Sequence, residues 1–261
     1  MPAADTDLAL LTRAARAAGQ VATGFTGPLA KRWDKPDGAG PVTEADIAVN
    51  ETLAEMLRPA RPGYGWLSEE SPDTEDRLGA DRVFIIDPID GTRSFMDGAT
   101  TWAHALAVAE AGVVVAAVIY LPMRDQLYSA AAGQGAFVNG RPIAPSRREA
   151  VDGASVLAAR PALDPSLWKD GVPRFKREYR PSLAYRMAAV AEGRFDAMLT
   201  LRDSWEWDVA AGDLILREAG ARVTDRTGGP LVFNNPQPLV NGVLAGGASV
   251  HAGLLAGLAG S

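Results

Sequence analysis

Apolar residues recur every three or four positions along residues 8–21, which predicts an amphipathic helix near the start of the chain. A second helix is predicted from residue 43 to about residue 57. Thr43 is well placed to cap its N-terminus, and Asp46 follows three residues later, as in a capping box. The first sixty residues are therefore expected to contribute two helices.

Short apolar runs bounded by turns and acidic residues predict strands in the rest of the first half. These runs lie at 64–68, 83–87, 104–109, 113–121 and 127–132. In the second half, helices are predicted at 183–190, at 207–219 and from about 250, with strands at 156–159, 195–199, 222–224, 231–233 and 243–245. A polar stretch at 144–153 lies between, so we predict an N-terminal α+β half (1–147) and a C-terminal α/β half (148–261), with two sheets.

The composition excludes several kinds of chemistry. Apolar residues make up 47% of the 261 residues, enough for a sizeable core, and the formal net charge is -6. This charge argues against a broad basic face and hence against a nucleic-acid polymer as partner. With no cysteine and only His104 and His251, the chain cannot form disulfides, thiolate zinc sites or a multi-histidine metal site. Carboxylates or metal ions would have to carry any catalysis.

The most membrane-like run covers residues 105–121. Glu110 and Gly112 interrupt it, and the remaining apolar stretch is shorter than the about 20 residues that cross a bilayer. The first residues include acidic side chains where a signal peptide would carry basic ones. We therefore expect a soluble, cytoplasmic protein with no membrane partner.

Two aspartates follow an apolar predicted strand. Residues 84–86 are Phe-Ile-Ile, Asp87 comes directly after them, and Asp90 follows three residues later. Pro88 stiffens the turn, so two carboxylates would project from the end of a buried strand at a fixed separation. The backbone N–H groups of Gly91 and Thr92 could then receive a phosphate. The alternative is an ordinary Asp-Gly turn in which Asp87 caps a helix.

Two further acidic segments have the same ambiguity. Glu69 and Glu70 end another apolar strand, although adjacent acids are usually solvated surface residues. Asp208 follows Trp207 at the start of a predicted helix, where the helix dipole alone favours aspartate. Neither segment indicates a function by itself, but together with the 87–90 turn they could supply clustered oxygen ligands.

Four segments resemble the inositol monophosphatase family, which includes bisphosphate nucleotidases, histidinol-phosphate phosphatases and fructose-1,6-bisphosphatases. They are PVTEAD at 41–46, SEES at 68–71, DPIDGT at 87–92 and WDVAAGDLILREAG at 207–220, in the family's order. The likeness spans about residues 35–229. It implies an α/β (α+β) fold, an α-β-α-β-α layered sandwich, and a magnesium-dependent, lithium-sensitive phosphatase that acts on phosphate monoesters.

The resemblance also implies metal ligands. The first magnesium ion would be held by Glu69, Asp87 and the backbone carbonyl of Ile89. The second ion would be held by Asp87, Asp90 and Asp208, and a third, weaker ion would involve Glu69. Carboxylate and carbonyl oxygens are hard ligands, which suit magnesium better than zinc.

Catalytic and substrate-binding roles are carried over in the same way. Glu70, and Thr92 with Asp46 behind it, would position and deprotonate the attacking water. The N–H groups of Gly91 and Thr92 would hold phosphate oxygens. Substrate contacts are implied for Gly91, Thr92, Asp90 and Asp208.

The substrate class stays open. Inositol-specific members of the family carry a glutamate on the strand before the WD motif, but residues 195–201 contain none. The link from that strand to Trp207 has the length seen in bisphosphate nucleotidases. Conversely, Ile89 within DPIDGT is more typical of inositol and histidinol phosphatases. We favour a 3′(2′),5′-bisphosphate nucleotide such as 3′-phosphoadenosine 5′-phosphate, and keep inositol 1-phosphate and histidinol phosphate as alternatives.

A second phosphate on the substrate would need its own cation. Arg177 and Arg180 belong to a basic cluster at 174–180, and Arg186 lies on the following predicted helix. The alternative is that this cluster is a solvated surface loop. The expected partner is a small phosphorylated metabolite, and a homodimer is kept open. A binding or regulatory protein without turnover is the alternative class of function.

Overall fold

Five layers of helices and sheets make up the part of the chain that the structure describes. A computed structural model covers residues 6–25, 27–35 and 40–260. Its helices are α1 (Asp7–Gly24), α2 (Glu44–Ala60), α3 (Thr92–Met96), α4 (Leu183–Ala191), α5 (Glu206–Glu218) and α6 (Ala248–Gly257). No helix in these ranges is both long and apolar enough to span a membrane.

The strands form two larger sheets and two short two-stranded pairs. In chain order they are β1 (Arg32–Asp34), β2 (Pro41–Thr43), β3 (Gly65–Ser68), β4 (Arg82–Asp90), β5 (Ala103–Glu110), β6 (Val113–Leu121), β7 (Gln126–Ala131), β8 (Ala136–Val138), β9 (Arg141–Pro142), β10 (Ser155–Ala158), β11 (Lys176–Glu178), β12 (Ala197–Thr200), β13 (Ser204–Trp205), β14 (Arg222–Thr224), β15 (Leu239–Val240) and β16 (Val243–Gly246). The short pairs are β1 with β2 and β13 with β15, both antiparallel.

The seven-stranded sheet separates two helical layers. Its strand order is β3-β4-β5-β6-β7-β8-β9, and only the pair β3–β4 is parallel. Successive side chains on a strand point to opposite faces. Phe84 and Ile86 therefore pack against α1 and α2, whereas Val83 and Ile85 pack on the side of α4 and α5. Both faces of β4 are buried, which explains its continuous apolar run.

The five-stranded sheet lies on the other side of α4 and α5 from the seven-stranded sheet. Its order is β11-β10-β12-β16-β14, with β10 parallel to both of its neighbours and the other pairs antiparallel. Leu157 and Met198 pack toward α4 and α5, while Val156 and Leu199 pack toward α6. The layers therefore run helix, sheet, helix, sheet, helix, and the predicted α-β-α-β-α sandwich is confirmed.

The predicted helices and most predicted strands are confirmed, and Thr43 with Asp46 forms the expected capping box of α2. The predicted strand at 231–233 is wrong, because within the described chain these residues pair with no strand. Phe233 is buried in the core between the two sheets, so the apolar pattern there reflects burial. The next residues, Asn234 and Asn235, are held by the Glu206 carboxylate instead of by a ladder.

The division into halves at 147/148 stays a prediction. That position lies between β9, the last strand of the seven-stranded sheet, and β10 of the five-stranded sheet. However, α4 and α5 belong to the second half in sequence and pack on the sheet of the first. The two parts of the chain therefore share one of their hydrophobic cores.

Candidate active site

A β-bulge at the end of β4 determines where its two aspartates point. The pairing of β4 with β5 skips from Asp87 to Asp90, so Pro88 and Ile89 together face His104 alone. In a regular strand, residues three apart would project to opposite faces. The extra residue reverses this and brings both carboxylates to one side. Two aspartates three residues apart on a strand can therefore face the same side only because of the bulge.

His104 fixes this bulge from the neighbouring strand. Its Nδ1 forms a hydrogen bond with the carbonyl of Pro88, which the bulge removes from the ladder. Burial lowers the pKa of His104 to about 4, so the ring is neutral and Nδ1 donates to the carbonyl. The rings of Trp102 and Tyr120 flank it, with centroids 5.5 and 6.4 Å away. Among the described residues, its buried Nε2 has no partner.

Asp208 completes a group of three carboxylates. It lies in the first turn of α5, and one oxygen each of Asp87, Asp90 and Asp208 lie within 4.8 Å of one another. Burial and then Glu69 raise the pKa of Asp87 well above its usual value, and burial and Asp90 do the same for Asp208. Asp87 Oδ1 is buried with no hydrogen-bond partner in the described chain. Crowded carboxylates with one unpaired oxygen fit a divalent cation held by oxygen ligands.

The N-terminus of α4 orients Asp90. Its carboxylate accepts hydrogen bonds from Ser182 Oγ at 2.5 Å and from the backbone N–H groups of Leu183 and Ala184 at 3.3 and 2.5 Å. Burial raises the pKa of Asp90 to about 6, and these hydrogen bonds oppose the rise. The carboxylate is therefore fixed in direction, and a helix from the second half of the chain supports a ligand from the first.

A lysine lies between the two glutamates of the SEES segment. Lys35 Nζ is 2.7 Å from Glu69 Oε1 and 2.6 Å from Glu70 Oε1. Burial lowers the pKa of Lys35, but the two glutamates outweigh this effect and the net pKa is raised. Burial and then Glu69 raise the pKa of Glu70 to about 7, against the effect of Lys35. The glutamates are thus partly neutralised by a cation that belongs to the chain.

Thr92 and Asp46 are in contact, as the motifs predict. Thr92 Oγ1 lies 3.2 Å from Asp46 Oδ1 and 3.3 Å from the carbonyl of Ile89. Asp46 Oδ2 also accepts from Thr43 N at 2.8 Å and from Thr43 Oγ1 at 2.6 Å. Burial raises the pKa of Asp46 to about 6. The Thr92 hydroxyl is therefore held directly beside the bulge, at the start of α3.

Two adjoining cavities open at the carboxylates. The first cavity, of about 360 Å³, is lined by Glu69, Thr92 and Trp205 among others. The second cavity, of about 520 Å³, is lined by Asp90 and Thr200 and has an apolar wall formed by Pro161, Leu167, Leu183 and Leu201. Both cavities share Arg93, Tyr179, Pro181, Arg202 and Asp208 as lining residues. A substrate at the carboxylates could therefore extend into either cavity.

The three predicted substrate arginines have different surroundings. Arg186 lines the second cavity, with its guanidinium carbon 4.7 Å from the centre of the Tyr179 ring. Arg177 instead donates to a carbonyl of β10 at 3.0 Å, and Arg180 lies over the ring of Phe195 at 5.2 Å. Neither of these two lines a cavity described above. A role in substrate binding for them stays a prediction that these contacts do not support.

Sequence patterns missed other residues that face the site. Arg93 and Arg202 are exposed and line both cavities, and Lys35 contacts both glutamates. Arg93 directly follows the DPIDGT motif, a position that could have drawn attention to it. For Lys35 and Arg202 the sequence carries no comparable signal, because their placement depends on contacts between elements distant in the chain.

We predict that the metal-free protein is more stable near pH 5 than near pH 8. Burial raises the pKa of five carboxyl groups at the site, those of Asp46, Glu70, Asp87, Asp90 and Asp208. A folded-state pKa above the unfolded value contributes stability that is present below the unfolded pKa and lost as pH rises through the folded one. His104 and His251, whose pKa values are lowered by burial, have the opposite effect, but they are two groups against five.

Urea unfolding of chelator-treated protein at several pH values measures this effect. We expect the free energy of unfolding to fall between about pH 4 and pH 7, and added magnesium to restore it most at pH 8. A metal-free protein whose stability rises steadily over this range would contradict the assigned pKa shifts.

We also predict that His104→Ala weakens metal binding. The change leaves the buried Pro88 carbonyl without its donor, at a cost of about 1–3 kcal/mol in stability, and frees the bulge that aligns Asp87 and Asp90. The matched control is His251→Ala. His251 is also buried, but it lies on α6 and forms a hydrogen bond with Thr224 at 2.9 Å. Calorimetric titration with Mg²⁺ should show weaker binding only for His104→Ala. Unchanged binding in a folded His104→Ala protein would show that His104 serves stability alone.

Comparisons with known proteins show the family. A profile described as the Inositol monophosphatase family matches residues 4–259. An inositol-1-monophosphatase from Rhizobium meliloti (strain 1021) is 36% identical over 200 residues, covering 72% of this chain and 73% of that protein. The Nus factor SuhB of Pseudomonas aeruginosa is 33% identical over 208 residues, covering 75% and 76%.

Solved structures share the fold. The Thermotoga maritima IMPase aligns with a TM-score of 0.81 at 26% identity, covering 94% of this chain and 93% of that one. The extragenic suppressor protein suhB from Bartonella henselae aligns with a TM-score of 0.80 at 29% identity, covering 95% and 96%. The family match extends over nearly the whole sequence. The chain therefore belongs to the inositol monophosphatase family and is a metal-dependent phosphatase.

Proposed function

We propose that the chain is a magnesium-dependent phosphomonoesterase whose reaction takes place at the end of β4. The observation that carries this proposal is the convergence of Asp87, Asp90 and Asp208 within 4.8 Å, with one oxygen of Asp87 unpaired. Glu69 and the carbonyl of Ile89 would add ligands for two or three ions. When bound, magnesium would neutralise phosphate charge and make a nearby water more acidic.

The chain's own residues would orient the water and accept its proton. The Thr92 hydroxyl donates a hydrogen bond to Asp46, which leaves the Thr92 oxygen free to accept a hydrogen bond from the water. Burial and Glu69 raise the pKa of Glu70 to about 7, a value suited to proton transfer near neutral pH. The N–H groups of Gly91 and Thr92 would hold phosphate oxygens.

Two substitutions should separate metal binding from proton transfer. Asp87→Asn should remove nearly all activity together with magnesium binding, because Asp87 is assigned to both principal ions. Glu70→Gln should keep the binding of magnesium and lower kcat by about 10²–10⁴-fold. Phosphate release and calorimetry measure the two effects. Asp213→Asn, a buried carboxylate paired with Arg217 on α5, is the matched control. Full wild-type activity in excess chelator would refute the metal-dependent mechanism.

A bisphosphorylated nucleotide such as 3′-phosphoadenosine 5′-phosphate is the substrate we favour. Three arginines, Arg93, Arg186 and Arg202, line the second cavity beside the carboxylates. In a protein of net charge -6, this is a local positive surface that one phosphate at the metal ions would not require. Arginine binds phosphate through two parallel hydrogen bonds. At the end of β12 the cavity is lined by Thr200, and no residue of this strand offers a carboxylate to inositol hydroxyls.

Inositol 1-phosphate is the second candidate. The observation in its favour is that a relative 36% identical to this chain is named an inositol-1-monophosphatase. Other relatives are named Nus factor SuhB, a name that refers to no reaction. For this chain, the convergence of Asp87, Asp90 and Asp208 favours catalysis over a binding role without turnover.

A pair of double variants tests the second phosphate. We expect Arg93→Ala, Arg202→Ala to lower kcat/KM for adenosine 3′,5′-bisphosphate by at least about tenfold more than for inositol 1-phosphate, because charge-assisted hydrogen bonds contribute about 1.5–3 kcal/mol each. The comparison variant, Arg177→Ala, Arg180→Ala, should leave the ratio unchanged. A selective loss in that variant instead would place the second phosphate at the 174–180 cluster. Equal losses for both substrates, or a wild type that prefers inositol 1-phosphate, would contradict the proposed substrate.

A further inference from the structure

An exposed tryptophan stands at the mouth of the candidate active site. Trp205 retains 41% of its surface exposed and lines the first cavity together with Thr92 and Asp208. Single exposed apolar residues are ordinary on protein surfaces. This one differs because it shares a cavity with two residues assigned to phosphate and metal binding.

The indole of Trp205 is held in a fixed orientation. It stacks on Trp207, with ring centroids 4.8 Å apart and planes 8° from parallel. Its backbone pairs with Leu239 in the β13–β15 ladder. The next residue, Glu206, is fully buried and accepts hydrogen bonds from Asn234 and other groups of the 232–236 segment. One face of the Trp205 ring is therefore covered by a second indole, and its backbone is held by the ladder and by the neighbouring Glu206.

A second aromatic ring borders the same cavity. Tyr179 is 47% exposed and lines both cavities, and the guanidinium of Arg186 lies 4.7 Å from its ring centre. Trp205 and Tyr179 are thus each backed by a neighbour and each leave aromatic surface toward the space beside the carboxylates. A saturated polyol has no flat π-face to place there, whereas a nucleobase has one.

We propose that Trp205 is a stacking platform for the base of the substrate, with Tyr179 bordering the same subsite. The inference rests on the proposed phosphatase site, in which the scissile phosphate lies at metal ions held by Asp87, Asp90 and Asp208. Stacking of a base on an aromatic side chain depends little on base identity, because every base has a π-face. Trp205 therefore selects nucleotides over sugar and polyol phosphates, while the arginines hold the second phosphate.

The test compares two substrates that differ only in the base. These are adenosine 3′,5′-bisphosphate and methyl β-ribofuranoside 3,5-bisphosphate, with kcat and KM measured for wild type, Trp205→Ala and Trp205→Phe. Trp205→Ala should lower kcat/KM for the adenosine compound by about 5- to 150-fold, mainly through KM, and change the base-free compound by less than twofold. Trp205→Phe should restore most of the preference, because a ring face remains.

The matched control is Trp33→Ala, since Trp33 is 48% exposed and lines neither described cavity. It should leave the ratio between the two substrates unchanged. Equal losses for both substrates in a folded Trp205→Ala protein would overturn the platform. A wild type that hydrolyses both bisphosphates equally well would overturn it too, while leaving the phosphatase site intact. A wild type that hydrolyses only inositol 1-phosphate would instead refute the proposed substrate itself.

Discussion

The extra residue in β4 is the constraint on which the site depends. Without it, strand alternation would send Asp87 and Asp90 to opposite faces of the sheet, one into each helical layer. Pro88 lies at the bulge, where its missing N–H costs no ladder bond. His104 then holds the released carbonyl from β5. The surrounding layers hold this irregular turn and bring Asp208 on α5 and the N-terminus of α4 to it.

Crowded negative charge is the consequence of that geometry. Oxygens of three carboxylates lie within 4.8 Å of one another, and burial raises the pKa of each carboxyl group. The chain surrounds them with cations of its own: Lys35 pairs with the neighbouring glutamates, and Arg186 and Arg202 lie beside the carboxylates in the second cavity. Asp87 Oδ1 nevertheless has no partner among the described residues, as expected for a site that receives divalent ions and a phosphorylated ligand.

Local patterns in the sequence were enough for the elements but not for the surroundings of the site. The capping box of Thr43 and Asp46 involves neighbours three residues apart, so its prediction was confirmed. The order of layers followed from family resemblance and not from periodicity. The strand predicted at 231–233 was wrong because burial of Phe233 between the sheets produces the same apolar pattern as strand pairing.

Long-range contacts explain what the sequence could not supply. Lys35 donates a hydrogen bond to Glu69, which lies 34 residues later in the chain, and no local sequence pattern predicts such a pair. The basic cluster at 174–180 was conspicuous in sequence, yet Arg177 and Arg180 point to a carbonyl and to an aromatic ring, while the isolated Arg93 and Arg202 face the cavities. Charge density along the chain is therefore a poor guide to which arginines line the cavities.

The most direct test of the central claim is a crystal structure of the protein with Mn²⁺ in place of Mg²⁺, examined by anomalous diffraction. The bulge account predicts strong anomalous peaks within about 2.0–2.6 Å of carboxylate oxygens of Asp87, Asp90 and Asp208, with Asp87 shared between two ions. Peaks confined to other acidic residues, with the 87–90 turn free of metal, would contradict it.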